Sequence, residues 1–218
     1  MITPLTSDLS NIRRDYEQGA LHRRDLDADP IKQFEAWLND AIAAGQLEPT
    51  AMTLATATPE GKPSARVVLL KRVGPDGFVF FTNYDSQKGR EIADNPHVEA
   101  CFFWDRLSRT VRVHGAVSKV SEAESNEYFA SRPRKSQIGA LASQQSEIVE
   151  DRSVLEMRFA QLEQRHAGKN VPRPERWGGF IITPQTIEFW QGRPSRLHDR
   201  LRYIRDAGGA WRVERVSP

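Results

Sequence analysis

The chain has 218 residues, 39 % of them apolar and 28 % charged, with a formal net charge of +2. Such a chain suits one large globular domain, or one domain with helical decoration, whose core is big enough not to need disulfides. A net charge this small is a weak footprint for a polyanionic partner, and no window reaches the roughly 18 apolar residues of a membrane span.

The opening Met1-Ile2-Thr3-Pro4-Leu5 has no basic n-region and no apolar h-region, so no secretory signal is expected. Residues 1–28 are polar and charge-dense, with Arg13, Arg14, Arg23 and Arg24 set among acids, and read as an arm with little to bury. The folded domain is expected over 29–218. Asp29-Pro30 opens a helix as cap and first residue; Ile31, Phe34, Trp37, Leu38 and Ile42 follow at helical spacing, and Gly45 ends it.

From residue 51 the period changes to two. Strands are predicted over 51–57, 65–73 and 78–83, with the turn Gly74-Pro75-Asp76-Gly77 between the last two. A short helix starts at Ser86 and stops near Asn95-Pro96. Strands at 97–104 and 109–120 follow, the second with Val111, Val113 and Val117 on one face and Thr110, Arg112 and His114 on the other. The lone Cys101 lies in the apolar run Ala100-Cys101-Phe102-Phe103; it is expected as a buried thiol in a reducing, cytoplasmic setting.

Ser121-Glu122-Ala123-Glu124 is a capping box for a helix through about Ser131, bounded by Pro133. Helices are predicted over 135–142 and 151–166, the latter with Val154, Leu155, Phe159 and Leu162 inward. Strands resume at 177–182, 186–190, 199–205 and 210–216, with Gly208-Gly209 as a hairpin turn. Strands joined by short turns, with helices in groups, predict a mainly β, α+β fold: an antiparallel sheet or barrel with helices at its ends.

No glycine-rich phosphate loop, no C-x-x-C or H-E-x-x-H and no G-x-S-x-G occurs, so neither a metal site nor a serine nucleophile is expected. Any phosphate must be held by side-chain cations and hydroxyls. Four polar segments could do this: Arg66–Lys71, Tyr128–Gln137, Gln144-Gln145-Ser146 and Trp190–Arg200. On a regular strand Arg66 and Lys71 face opposite sides, and would serve two sites or one across a subunit interface. His22, His97, His114 and His166 read as structural, and Trp37, Trp104 and Trp177 as core.

From about Ile12 to Pro218 these segments resemble the pyridoxine/pyridoxamine 5′-phosphate oxidase family. The resemblance is carried by Arg-Arg-Asp-Leu at 23–26, Pro-Thr-Ala-Met at 49–52, Arg66–Lys71, Ser131-Arg132-Pro133-Arg134 with Ser136-Gln137-Ile138-Gly139-Ala140, Trp177-Gly178-Gly179-Phe180, Glu188-Phe189-Trp190-Gln191-Gly192 and Arg196-Leu197-His198-Asp199-Arg200. It implies an antiparallel, Greek-key-like split β-barrel that binds flavin mononucleotide (FMN) at a homodimer interface. The implied reaction oxidises pyridoxine or pyridoxamine 5′-phosphate to pyridoxal 5′-phosphate, with dioxygen as acceptor and hydrogen peroxide released.

The resemblance also implies roles. Arg66 and Lys88 would hold the FMN phosphate, and Val67, Val68, Leu69, Leu70, Lys71, Phe81 and Thr82 would line the flavin. Gln145 and Ser146 would come from the other subunit, and Trp190 and Arg200 would complete the cofactor site. Lys71, Tyr128, Arg132 and Ser136 would grip the substrate phosphate. Arg196 and His198, the expected catalytic pair, would sit with Leu197 over the reacting pyridine, and Arg13 and Tyr16 would close as a lid. Gln87, Thr110 and Glu48 depart from the family pattern: Gln87 stands where an arginine commonly contacts the FMN phosphate, Thr110 where a glutamine commonly contacts the flavin, and Glu48 where an aspartate precedes Pro49. Two other readings are a flavin oxidase for a different ring, as in phenazine biosynthesis, and a non-catalytic flavin- or nucleic-acid-binding module.

Overall fold

A computed structural model describes residues 15–16 and 19–218. Arg13 therefore lies outside the described residues. The Asp29 carboxylate accepts the Ile31 N–H at 2.9 Å and Pro30 takes the first turn, so helix α1 runs Pro30–Ala43. It buries Ile31, Phe34 and Trp37 against the sheet, whereas Ile42 is left exposed. The sheet strands are β1 (Ala51–Ala57), β2 (Pro63–Leu69), β3 (Arg72–Gly74), β4 (Gly77–Asn83), β5 (His97–Trp104), β6 (Arg109–Lys119), β7 (Trp177–Gln191), β8 (Asp199–Arg205) and β9 (Trp211–Arg215). Helix α2 (Gln87–Asp94) lies between β4 and β5, and α3 (Glu122–Ser131), α4 (Arg134–Ala142) and α5 (Arg152–Arg165) lie between β6 and β7. No helix among the described residues is long and apolar enough to cross a membrane.

The strands form one antiparallel sheet in the order β2-β1-β5-β6-β7-β4-β3, with β8 and β9 continuing from the second half of β7. Two predicted boundaries differ. Positions 177–182 and 186–190 form one strand, because the ladder passes Pro184 at a register shift between His114 and Gly115. A bulge is where a strand tolerates a residue with no N–H. Gly115 is required there: a Cβ at this position would lie 2.2 Å from the Thr183 carbonyl oxygen. The predicted strand 65–73 is broken after Leu69. The Leu70 N–H bonds to the Thr50 carbonyl and the Lys71 N–H to that of Val79, so the backbone changes partner from the β1 side to β4 within one residue.

The inner face holds the core. Phe34 sits with ring centroids 4.9 Å from both Phe78 and Phe102 and 5.9 Å from Trp104, all fully buried. Leu70 belongs to this core. A second, smaller core joins Phe129, Ile138, Val171 and Trp177, with Phe159 and Leu162 of α5 half-buried against it. The expectation that the arm has little to bury fails at Leu21. This residue is buried, its N–H bonds to Asp199, and its carbonyl accepts from Arg215.

The outward face is fixed by register. Val67 stands opposite Thr53, Thr53 opposite Cys101, Cys101 opposite Arg112, Arg112 opposite Glu188, and Glu188 opposite Arg202. Cys101 is thus a half-buried thiol on this face, not a core thiol, because its neighbours Ala100 and Phe102 take the inward positions. Replacing Phe34 with alanine removes the ring that ties α1 to β4 and β5. Urea unfolding should show a loss of about 3–5 kcal/mol.

Candidate functional site

A cleft of about 1010 Å³ opens between β2, β4, the start of α2 and the α3–α4 junction. The partner switch at Leu70–Lys71 bends the chain so that Arg66 and Lys71 both line it, which overturns the opposite-sides expectation for a regular strand. Val67, Val68, Leu69, Phe81, Thr82, Gln87 and Lys88 also line it, whereas Leu70 turns into the core. The α3–α4 junction adds Tyr128, Arg132 and Ser136. Gln145 and Ser146, expected from another subunit, lie in this same chain's cleft. Gln145 Oε1 accepts from Lys88 Nζ at 2.8 Å and from Thr82 Oγ1 at 3.1 Å.

The cations of the cleft differ in how they are compensated. Arg66 is paired with Glu91 at 3.2 Å and also bonds Ser64 and Thr56. Burial raises the Glu91 pKa, but hydrogen bonds from Ser64, Thr56, Gln87 and Arg66 outweigh it and hold the carboxyl at about 2. Lys88 has no carboxylate within ion-pair reach among the described residues. Burial, and then the neighbouring Arg66 charge, bring its pKa down to about 8. Arg132 is packed over the Trp177 ring at 4.6 Å, burial lowers its pKa, and its buried Nη1 has no hydrogen-bond partner among the described residues. Tyr128 is stacked on Phe81 at 3.9 Å, which fixes the ring beside Arg132.

A second group stands apart from the cleft. Thr110 is paired with Trp190, and Trp190 with Arg200, on the outward face of β6, β7 and β8. The β7–β8 loop carries Arg196, Leu197 and His198 beside them. His198 lies 4.6 Å from the Trp190 ring, and Tyr16 meets both rings edge-on at 5.5 and 5.7 Å. Ser195 and Arg196 both have positive φ, 57° and 62°. Each such non-glycine residue costs about 1–3 kcal/mol, and the strain projects Arg196 outward. The Arg193 N–H donates to His198 Nδ1 at 3.0 Å, and burial followed by the Arg196 charge lowers the His198 pKa. Accepting at Nδ1 places the proton of the neutral ring on Nε2.

Two family profiles match the chain: pyridoxamine 5′-phosphate oxidase over residues 38–166, and the pyridoxine 5′-phosphate oxidase C-terminal dimerisation region over 177–218. The chain is 51 % identical over 210 residues to a pyridoxine/pyridoxamine 5′-phosphate oxidase of Microcystis aeruginosa, covering 96 % of this chain and 98 % of that one. It is 54 % identical over 211 residues to one from Rubrobacter xylanophilus, covering 97 % of each. The chain belongs to the pyridoxine/pyridoxamine 5′-phosphate oxidase family.

Among solved structures, PhzG from Burkholderia lata, in complex with tetrahydrophenazine-1-carboxylic acid, superposes with a TM-score of 0.87 at 31 % identity, covering 93 % of this chain and 100 % of that one. A pyridoxamine 5′-phosphate oxidase-related, FMN-binding protein of Nostoc punctiforme superposes with a TM-score of 0.68 at 15 % identity, covering 85 % and 97 %, and shares the split-barrel fold.

The donor set fits the family's cofactor. A cleft with two uncompensated cationic groups, on a chain without a glycine-rich loop, can hold phosphate through charge-assisted hydrogen bonds. Arg66, Lys88 and Thr82 all line the cleft, while Gln87, with Nε2 bonded to Glu91 at 2.8 Å, supplies no charge.

Sequence reasoning missed Glu91, although Gln87 and Lys88 at i−4 and i−3 put it on their helix face. It missed Thr56 and Ser64 for want of any signal. It placed Trp177 in the core, where it is, but not at the cleft wall, where it also is. The histidines expected to be structural include a stacked pair, His97 and His114, with Glu99 3.5 Å from His114. Replacing Glu91 with alanine leaves the half-buried Arg66 without its carboxylate. Denaturant unfolding at pH 7 should show a loss of about 3 kcal/mol, shrinking toward pH 2 where the native carboxylate itself becomes protonated.

Proposed function

We propose that this chain is an FMN-dependent oxidase converting pyridoxine 5′-phosphate or pyridoxamine 5′-phosphate to pyridoxal 5′-phosphate. Dioxygen is the acceptor, and hydrogen peroxide is released, with ammonia from the amine. The observation that carries the reading is the pair of anion handles in one cleft. Lys88 with Arg66 stands on α2 and β2, and Arg132 with Tyr128, Ser136 and Lys71 stands largely at the α3–α4 junction. Each handle contains a cation with no carboxylate partner among the described residues, and the cofactor and the substrate each carry one phosphate.

The working unit is a homodimer. Val67 on β2 and Trp190 on β7 face the same way but are four strand spacings apart, roughly 19 Å along the sheet. A single flavin cannot lie against both in one chain. In a twofold dimer, the cleft of one copy meets the Trp190, Arg196, His198 and Arg200 group of the other. The family's C-terminal dimerisation region, over 177–218, contains all four of these residues. A reducing cytoplasm suits the free Cys101.

FMN, held in this cleft, would supply the two-electron redox chemistry between the substrate and dioxygen. The chain's own residues bind and orient. Arg132, Ser136, Tyr128 and Lys71 grip the substrate phosphate and so fix the position of C4′. Arg196 offers a cation to the ring, and His198 offers an Nε2–H donor; with Nδ1 engaged by the Arg193 N–H, its neutral form has no free lone pair to take a proton. Tyr16 shields Trp190 and His198 from water.

Purified protein loaded with FMN should show flavin bands that pyridoxamine 5′-phosphate bleaches under anaerobic conditions. A spectrum left unchanged by both phosphorylated vitamers defeats the reading. Turnover of unphosphorylated pyridoxine at a comparable rate would favour an oxidase for a different ring. Lys88 sets a pH dependence. A bound phosphate favours the ammonium form, so binding takes up a proton wherever free Lys88 is neutral, and FMN affinity should fall as pH rises past about 8. Fluorescence titration of apoprotein at pH 7 and pH 9 checks this, with Lys88→Met abolishing the pH effect.

A further inference from the structure

Glu188 takes no part in the reading above, yet it is the most enclosed acid on the outward face, its side chain only 5 % exposed. Strand register explains the enclosure. Glu188 stands opposite Arg112 on β6 and Arg202 on β8, with Arg200 diagonal to it. Arg202 turns away to pair with Glu214. Arg200 grips Glu188 side-on, Nε to Oε1 at 2.9 Å and Nη2 to Oε2 at 3.1 Å, and its Nη1 donates to the Ser217 carbonyl at 2.9 Å. Arg112 reaches the same carboxylate from the other side, Nη2 to Oε1 at 2.5 Å.

Two guanidiniums thus share one carboxylate, leaving a net positive charge on the face that carries Trp190. Arg112 spends one nitrogen on Glu188. The rest of its guanidinium has no other hydrogen-bond partner among the described residues, and its side chain is 42 % exposed. Its neighbours on this face are Thr110, two residues earlier on β6, and Trp190, which pairs with Thr110. Thr110 is short and cannot cover Arg112. An aromatic surface flanked by fixed guanidinium donors suits a flat, carbonyl-rich heterocycle that gains negative charge.

We propose that Arg112 is a further cofactor-binding residue, positioned by Glu188, which donates together with Arg200 to the pyrimidine edge of the flavin and favours the reduced, anionic form. This rests on the reading that FMN lies against this face in the dimer. Donors held in place before the charge appears need no reorganisation when it does, so they stabilise the reduced state more than the oxidised one.

The test compares wild type, Arg112→Ala, Arg112→Lys and Glu188→Gln by titrating each apoprotein with FMN and measuring the midpoint potential of the bound flavin. Arg112→Ala should weaken binding of oxidised FMN about tenfold, the effect of one charge-assisted bond. It should weaken binding of reduced FMN about tenfold more, which lowers the two-electron potential by about 30 mV. Arg112→Lys, which keeps the charge, should restore most of the potential. Glu188→Gln should weaken FMN binding by loosening both guanidiniums.

An Arg112→Ala protein with an unchanged potential and an affinity within twofold of wild type overturns the proposal and leaves Arg112 as a surface ion pair. Binding as tight as wild type in Glu188→Gln removes the positioning role. A wild-type apoprotein that takes up no FMN overturns instead the reading on which the proposal rests.

Discussion

One fifteen-residue strand, β7, is hydrogen-bonded along both edges, and the rest of the molecule is arranged by it. Residues 180–191 pair with β6, the first part of the strand with β4 and the last part with β8. Because side chains alternate at period two, this one ladder decides what faces the core and what faces outward. Phe180, Ile182, Ile187 and Phe189 go inward, and Glu188 and Trp190 go outward. The bulge at His114/Gly115 lets both halves of the strand keep their apolar residues inward across a proline, at a position where only glycine leaves room for the facing carbonyl.

That constraint also separates the two halves of the candidate site. The cleft is built where β2 and β4 meet the helices, and the Trp190 group is built in the middle of the sheet. Strand spacing is a property of the backbone and no side chain can shorten it. A chain with this register can complete a site between a β2 edge and a β7 centre only by meeting a second copy. On the proposed reading, the ladder that makes the monomer stable leaves its site to be completed by a second copy.

Local chemistry in the sequence was legible where it was local in the structure. The Asp29-Pro30 cap, the Ser121 capping box, the Gly74–Gly77 turn and the Ser86 helix start all stand at the predicted positions. Continuity of β7 was not legible, because Thr183-Pro184 reads as a break unless the compensating Gly115, nearly seventy residues earlier, is known to lie opposite. The bend at Leu70–Lys71 was hidden for the same reason: it comes from a change of hydrogen-bond partner, and neither Thr50 nor Val79 announces itself as one. Arg66, Lys71, Lys88 and Arg132 were each ambiguous alone, since solvated cations look the same in one dimension. What separates them is an ion-paired acid, which, among the described residues, Arg66 alone of the four has.

The distribution of acids is then the most informative feature of the site. Isolated buried charge is unfavourable, and a folded chain ordinarily removes it by pairing or by shifting a pKa. Two of the acids that pair arginines are nearly inaccessible, Glu91 with Arg66 and Glu188 with Arg200 and Arg112. Such acids cannot meet a ligand; they fix where a guanidinium points. Among the described residues Lys88 and Arg132 have no ion-paired carboxylate, and burial lowers the pKa of both, that of Lys88 to about 8. An anion that enters the cleft recovers that unfavourable desolvation as binding free energy. Neither Lys88 nor Arg132 forms an ion pair with a carboxylate among the described residues, so both charges are open to that anion.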